Sequence, residues 1–257
     1  MKMKLNFFFS KIESFHRVKL ESLIENLEDA SKIDLTNNQI SSINEKTFYG
    51  LINMQELYLE NNKMTSINNM LFNGLINLAE LYLSNNQIGS INEKTLSGLN
   101  NLKCLRLDNN KITLINPRAF NGLTNLEFLY LENNEISSID NKLFNQTRSL
   151  REIYLSNNQI SSIDEKTFNG LVQLQELYLD NNKLTSIHDK TFNGLINLEQ
   201  LYLSNNQISS LNEKAFNGPR AKILNWLDLH NNKISSTDSQ LIQDKLASMF
   251  PNCRIFF

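Results

Sequence analysis

The apolar residues of this chain fall into short bursts of strict alternation set a fixed distance apart. Leu78-x-x-Leu81-x-Leu83 is followed by Leu102-x-x-Leu105-x-Leu107, and Leu174-x-x-Leu177-x-Leu179 by Leu198-x-x-Leu201-x-Leu203. Alternation with period two puts the leucines on one side of a strand and the residues between them on the other. Each burst is followed by a second apolar pair (Ile40 and Ile43, Met64 and Ile67, Ile88 and Ile91) and then by a late aromatic slot. Phe48, Phe72, Phe120, Phe144, Phe168, Phe192 and Phe216 fill that slot, with Leu96 as the exception. A unit of this length cannot bury its own apolar side, so the units must stack. Their strands then pair in parallel about 4.8 Å apart.

Asparagine fixes the phase. Asn38, Asn62, Asn86, Asn110, Asn134, Asn158, Asn182 and Asn206 recur every 24 residues, and Asn232 follows after 26. Each closes the pattern L-x-x-L-x-L-x-x-N where the chain turns out of its strand. A short amide both donates and accepts, so these nine residues are predicted to form a ladder serving buried turn backbone in adjacent coils. The phenylalanines are predicted to stack as a spine beneath the opposite side. Gly50, Gly74, Gly98, Gly122, Gly170, Gly194 and Gly218 are predicted to allow the bend before the next strand.

Over residues 30 to 257 this motif resembles the leucine-rich-repeat family, in its 24-residue "typical" class. The fold expected is an α/β repeat solenoid, a curved horseshoe whose concave side is a parallel sheet of ten strands. The resemblance also implies a protein–protein interaction module, such as a scaffold, adaptor or recognition domain. Alternatives are the recognition part of a larger receptor or enzyme, and an extracellular adhesion or immune module. Family members of the last kind carry cysteine-clustered caps, which this chain lacks.

Both ends of the stack read as helical caps. Residues 1–29 form the first, with Ser10 and Glu13 as a capping box and Leu20, Leu23, Ile24 and Leu27 on one face. The array runs from 30 to 236. In residues 237–257, Thr237 and Gln240 start a helix with Ile242, Leu246, Met249 and Phe250 as its apolar stripe and Pro251 beyond. Phe250-x-x-Cys253-x-Ile255 then repeats the strand pattern, with Cys253 in an inward slot. Two irregularities predict local distortion: Gln146-Thr147 in place of Gly-Leu, and the two extra residues at Gly218-Pro219-Arg220-Ala221.

Composition changes the picture little. The net charge is -2 over 257 residues, and 8 Gly with 3 Pro leave no linker. Lys2, Lys4 and the run Leu5 to Phe9 are too short for a signal peptide, and no apolar stretch has the length of a membrane span. A cytoplasmic, monomeric protein without membrane attachment is expected. No phosphate-binding loop, dinucleotide fingerprint, zinc-protease or nucleophile-elbow motif occurs. His16, His188 and His230 are scattered, and Asp180-Asn181-Asn182 lacks the glycine and glutamate of a calcium loop. No catalysis, metal or cofactor is expected. Asn145-Gln146-Thr147 is a glycosylation sequon. The ridge Lys46, Lys94, Arg118, Lys142, Lys166, Lys190 and Lys214 is offset by preceding acids, so it is no nucleic-acid patch.

The outward strand positions carry the candidate site. The central column reads Asp34, Tyr58, Tyr82, Arg106, Tyr130, Tyr154, Tyr178, Tyr202, Asp228. It is flanked by Lys32, Glu56, Glu80, Cys104, Phe128, Glu152, Glu176, Gln200, Trp226 and by Thr36, Glu60, Ser84, Asp108, Glu132, Ser156, Asp180, Ser204, His230. These columns hold ten acids against two bases. A tyrosine stripe flanked by carboxylates predicts a protein or peptide partner with a basic surface. Tyrosine is also a good strand former, so a packed ladder without a binding role is the bland alternative. Cys104, Arg106 and Phe128 interrupt the common residues, which places the contact at Tyr82, Cys104, Arg106, Phe128, Tyr130, Glu132, Tyr154 and Tyr178.

Overall fold

The structure, a computed structural model, describes residues 3–6, 14–15, 27–219 and 223–257. It divides into two units, Met1–Tyr130 and Leu131–Phe257.

The first unit contains β1 (Met3–Asn6), β2 (Ser14–Phe15), β3 (Ala30–Asp34), β4 (Ser42–Ile43) and β5 (Glu56–Tyr58). It continues with β6 (Glu80–Tyr82), β7 (Ser90–Ile91), β8 (Cys104–Arg106), β9 (Leu114–Ile115) and β10 (Phe128–Tyr130). Its main sheet runs β1-β3-β5-β6-β8-β10, all parallel. The register matches the repeat, with Tyr82 beside Tyr58 and Arg106, and Arg106 beside Tyr130. Two short parallel pairs, β2 with β4 and β7 with β9, close coils where the chain has left the main strand.

The second unit contains β11 (Glu152–Tyr154), β12 (Glu176–Tyr178), β13 (Gln200–Tyr202), β14 (Trp226–Asp228), α1 (Ser236–Met249) and β15 (Arg254–Phe256). Its strands pair in parallel in chain order. The ten expected repeat strands are all present, β3, β5, β6, β8 and β10 in the main sheet of one unit and β11 to β15 in the other. β1 adds a strand that the motif does not announce.

Every expected leucine column is buried; Leu57, Leu81, Leu105, Leu177 and Leu201 are 0 % exposed. At about 2 kcal/mol for each fully buried leucine, this side of the strands drives the stacking. The phenylalanine slots are also buried. In the second unit their rings follow one another at 6.0 Å (Phe144–Phe168), 6.4 Å (Phe168–Phe192) and 5.7 Å (Phe192–Phe216).

The asparagine ladder forms as expected. Asn182 Nδ2 donates to Leu155 O of the preceding coil (2.9 Å) and to Leu179 O and Asp180 O of its own, while Oδ1 accepts from Ile160 N (3.0 Å). Asn86 and Asn110 repeat the arrangement in the first unit. The residue before each ladder position is also asparagine, and it has its own task. Asn37, Asn61, Asn85, Asn109, Asn133, Asn157, Asn181, Asn205 and Asn231 all have φ between 54° and 56°. This left-handed conformation is one that asparagine tolerates better than most side chains.

A further amide row lies on exposed turns. Asn77 Nδ2 donates to Ile52 O, Asn101 to Ile76 O and Asn125 to Asn100 O, with Asn197 donating to Val172 O in the second unit. A third set caps turns locally: Asn44, Asn116, Asp140, Asp164 and Asn212 each accept from the backbone N–H two residues on. These uses account for the abundance of asparagine.

Several expectations are corrected. The first cap is not a helix where it is described: β1 pairs with β3, β2 with β4, and Leu27–Asp29 is a 3-10 turn. Ser10, Glu13, His16, Leu20, Leu23 and Ile24 lie outside the described residues. The C-terminal segment does form a helix, but it starts two residues earlier than expected. Ser235 is its N-cap, accepting from Asp238 N, because a side-chain oxygen three residues ahead of a free N–H is already in place there. Gln240 instead donates to Asp244. Ile242, Leu246 and Phe250 are buried as expected, and Met249 is half-buried.

The last strand is shifted by two residues, with Ile255 rather than Cys253 opposite Leu227. Cys253 is half-buried, and burial pushes its thiol up to about 11.

Thr147 causes no visible break. Its N–H bonds Phe144 O at 3.2 Å, as Leu123 N bonds Phe120 O in another repeat, and its hydroxyl also donates to Phe144 O. The eighth repeat does differ: a 3-10 turn, Glu213–Phe216, replaces the usual turn, and Arg220 and Ala221 lie outside the described residues. Gly50, Gly74, Gly98, Gly122 and Gly170 have positive φ, whereas Gly194 and Gly218 do not. Gly218 is needed for a different reason, since a Cβ there would stand 1.9 Å from Phe192 O.

Candidate functional site

Strands β5, β6, β8, β10, β11, β12 and β13 each have one buried residue between two half-buried ones, so the fold itself leaves their outward columns accessible. A glutamate and a tyrosine two positions apart point to the same side, and the tyrosine hydroxyl then reaches back to the carboxylate. Tyr58 donates to Glu56 (3.1 Å), Tyr82 to Glu80 (2.7 Å), Tyr154 to Glu152 (3.0 Å) and Tyr178 to Glu176 (2.7 Å). Gln200 replaces the acid in one strand and still accepts from Tyr202 at 2.9 Å. Parallel register stacks the rings: Tyr58 on Tyr82 at 4.4 Å, and Tyr154, Tyr178 and Tyr202 at 4.3 Å and 4.4 Å. Burial, then the adjacent carboxylate, raises the hydroxyls of Tyr82 and Tyr178 well above the ordinary tyrosine range.

In the first unit the face supplies its own cations. Lys32 Nζ lies 3.8 Å from the Tyr58 ring centroid and 3.3 Å from Glu56 Oε2. Burial alone would lower this ammonium, but hydrogen bonds to Glu56 and Tyr58 carry it above its ordinary value. Arg106 lies 4.4 Å over the Tyr130 ring and 3.5 Å from Asp108, which also accepts from Ser84 Oγ. Cys104 sits between Glu80 and Phe128 in register. Burial, followed by the Glu80 charge, pushes its thiol up to about 11, so it is a poor nucleophile at neutral pH. Phe128 is half-buried rather than fully exposed. The register therefore brings together Tyr82, Cys104, Arg106, Phe128 and Tyr130.

Glu132, Tyr154 and Tyr178 belong to the second unit, where β11 and β12 place the two tyrosines side by side. Beyond Tyr202 the stack tilts, with Trp226 at 6.0 Å and Phe256 a further 4.7 Å on. The sequence reading of the site omitted these two rings. Trp226 stood in its columns, while Phe256 was hidden by the shifted register of β15. Asp228 pairs with His230 Nδ1 at 2.5 Å, and His188 accepts from Lys190 N, so both histidines have structural partners. Among the described residues no group of three or more His, Cys, Asp or Glu is arranged to hold a metal ion.

Stacked coils, an amide ladder and an outward strand face of aromatic and acidic rows define a solenoid recognition repeat. The leucine-rich-repeat family model matches residues 30–88, 76–136, 129–184 and 173–234. The chain belongs to the leucine-rich-repeat family, whose fold is a protein–protein interaction module. Among solved structures it is similar to a leucine-rich-repeat protein of Leptospira interrogans (28 % identity, TM-score 0.71, covering 90 % of this chain and 62 % of that one). It is similar to TLR13 in the TLR13–ssRNA13 complex (33 %, 0.77, 86 % and 31 %). A third likeness is to the Drosophila Toll–Spatzle complex (25 %, 0.75, 88 % and 30 %). The chain thus spans less than two thirds of the length of each. No match was found among curated proteins.

Proposed function

We propose that this chain is a recognition module that engages a protein or peptide on the outward face of its strands. The observation that carries this reading is the make-up of that face. Half-buried aromatic rings in van der Waals stacks, held by hydrogen bonds to carboxylates, present rigid contact area at low entropic cost. The excess of acids favours a basic partner and speeds its encounter. In the first unit, Phe128 and Arg106 with flanking Tyr82 and Tyr130 have the composition of an energetic anchor. Glu132, Tyr154 and Tyr178 contribute from the second unit.

Partner capture on the immobilised chain tests this reading, with Glu80→Lys and Glu152→Lys as face-reversal controls. Loss of the partner in the controls is the expected result. Equal retention by wild type and controls would put the contact on another surface. A second reading, the recognition segment of a larger receptor, is favoured by the 31 % and 30 % of TLR13 and Toll that the chain spans.

A further inference from the structure

The outward rings of the second unit form one column. Parallel register sets Tyr154, Tyr178 and Tyr202 side by side, and β14 and β15 extend the column with Trp226 and Phe256. Consecutive centroids lie 4.3 Å (Tyr154–Tyr178), 4.4 Å (Tyr178–Tyr202) and 6.0 Å (Tyr202–Trp226) apart. Interplanar angles of 10° and 7° between the tyrosines bring their π faces, rather than their edges, into contact. Orbital overlap at van der Waals distance makes electron exchange between neighbours fast. Tyrosine and tryptophan are the rings of this column that give up a single electron readily.

The fate of the proton is graded along the same column. A phenol that loses an electron becomes a strong acid, and it persists as a neutral radical only by passing its proton to a base. Tyr178 already donates to Glu176 Oε2 at 2.7 Å, and Tyr154 to Glu152 Oε2 at 3.0 Å, and a carboxylate can keep a proton. Gln200 Nε2 donates to Oε1 of Glu176, which holds that carboxylate from its other oxygen. Burial, then the Glu176 hydrogen bond, keeps the resting Tyr178 a neutral phenol. Tyr202 donates instead to Gln200 Oε1 at 2.9 Å, an amide oxygen that does not keep a proton. The indole N–H of Trp226 is buried and has no acceptor among the described residues. An electron vacancy therefore finds no base at Trp226, a poor one at Tyr202 and good ones at Tyr178 and Tyr154.

We infer that the second unit's strand face is a one-electron relay, in which a vacancy created at Trp226 by a one-electron oxidant, of the class of inorganic radicals formed from peroxide, passes through Tyr202 and comes to rest on Tyr178 or Tyr154. The oxidant takes one electron from the indole. The indole radical cation regains an electron from Tyr202, and Tyr202 regains one from Tyr178, whose hydroxyl proton moves to Glu176. A further step gives Tyr154 the same role with Glu152. The products are the reduced oxidant, one neutral phenoxyl radical and one protonated glutamate, with Trp226 and Tyr202 unchanged. The relay is independent of what the face binds as a recognition module.

Pulse radiolysis of the full chain in azide solution tests it. The azide radical removes one electron from indole in preference to phenol at neutral pH, and Trp226 is the single tryptophan. Transient absorption follows the indolyl and phenoxyl signals separately. The first is expected to decay, and the second to grow, at one shared first-order rate independent of protein concentration. Tyr202→Phe keeps the ring in the stack but removes the middle step, so this phase should be lost. Glu152→Gln with Glu176→Gln keeps an acceptor for each hydroxyl, as Gln200 does for Tyr202, but removes both bases, so the phenoxyl yield should fall. Tyr58→Phe, in the first unit's stack, should behave like wild type. Wild-type indolyl decay that depends on protein concentration would overturn the inference. So would an unchanged first-order phase in Tyr202→Phe, an equal loss in Tyr58→Phe, or an undiminished phenoxyl yield in the double variant.

Discussion

Replacing Asn182 by alanine isolates what one rung of the ladder contributes. Its Nδ2 serves Leu155 O, Leu179 O and Asp180 O, and its Oδ1 serves Ile160 N. The carbonyls are insured: Leu155 O also accepts from Asn158, Leu179 O from Asn206, and Asp180 O from Asn157 N. Ile160 N has no such reserve, and Ile160 is 0 % exposed. The loss is therefore dominated by one buried N–H left without an acceptor, about 2 kcal/mol. With a urea m-value of about 2 kcal/mol/M, the midpoint falls by about 1 M. Asn182→Asp keeps the acceptor for Ile160 but sets a carboxylate among three carbonyl oxygens, so it should lose more than alanine. Equilibrium urea unfolding of the three proteins, followed by far-ultraviolet circular dichroism, measures both losses. An alanine variant with the wild-type midpoint, or an aspartate variant more stable than alanine, would refute the assignment of donor and acceptor roles.

Asn181→Val forces a β-branched side chain into φ 55° and should cost about 1–2 kcal/mol, while Asn181→Gly should be nearly neutral by the same assay. Gly218→Ala should cost about 3 kcal/mol because its Cβ meets Phe192 O, whereas Gly89→Ala, with nothing within 4 Å, should leave the melting temperature unchanged. The five face tyrosines Tyr58, Tyr82, Tyr154, Tyr178 and Tyr202 all ionise above the ordinary value of 10.0, chiefly through burial. Folding thus favours the neutral phenol: that stabilisation is full below about pH 10, where the unfolded chain begins to ionise, and is lost progressively above it. A denaturation series across alkaline pH, with tyrosinate absorbance appearing on unfolding, checks the sign. Phe128→Ala should weaken partner binding by about 2 kcal/mol or more with the fold intact, and Tyr202→Ala much less, as read by calorimetry.

The period carried most of the fold, because a residue repeated in phase has one environment repeated in space. Leucine slots, phenylalanine spine and amide ladder were legible for that reason. The Asn-Asn doublets were equally periodic, yet one asparagine per coil seemed to explain them, and the left-handed residue beside it shows only in the backbone angle. The amide row at Asn77, Asn101 and Asn125 was missed because exposed asparagine reads as solvation. β15 slipped by two residues because Cys253 fits the leucine pattern as well as Ile255 does, and parity alone cannot distinguish such registers. β1 lies outside the motif and had no period to reveal it. At the face, alternation placed glutamate and tyrosine on one side. The hydroxyl-to-carboxylate bonds and the seating of Lys32 on Glu56 and Tyr58 depend on strand register, which only three dimensions supply.

The coil-to-coil amide bonds have an evolutionary consequence. Ile136 is tied to Asn158, Ile160 to Asn182 and Leu184 to Asn206, each a step of 22 residues, while Leu131, Leu155 and Leu179 are tied to the same asparagines at a step of 27. Both steps survive if a block of 24 residues is duplicated or excised, because the new neighbours present the same atoms at the same separations. Lineages carrying such a gene can lengthen or shorten it by unequal crossing-over without inventing a new packing solution. Selection is then free to act on how many Glu-Tyr pairs the protein displays, and copy number becomes a heritable dial on the reach of its surface.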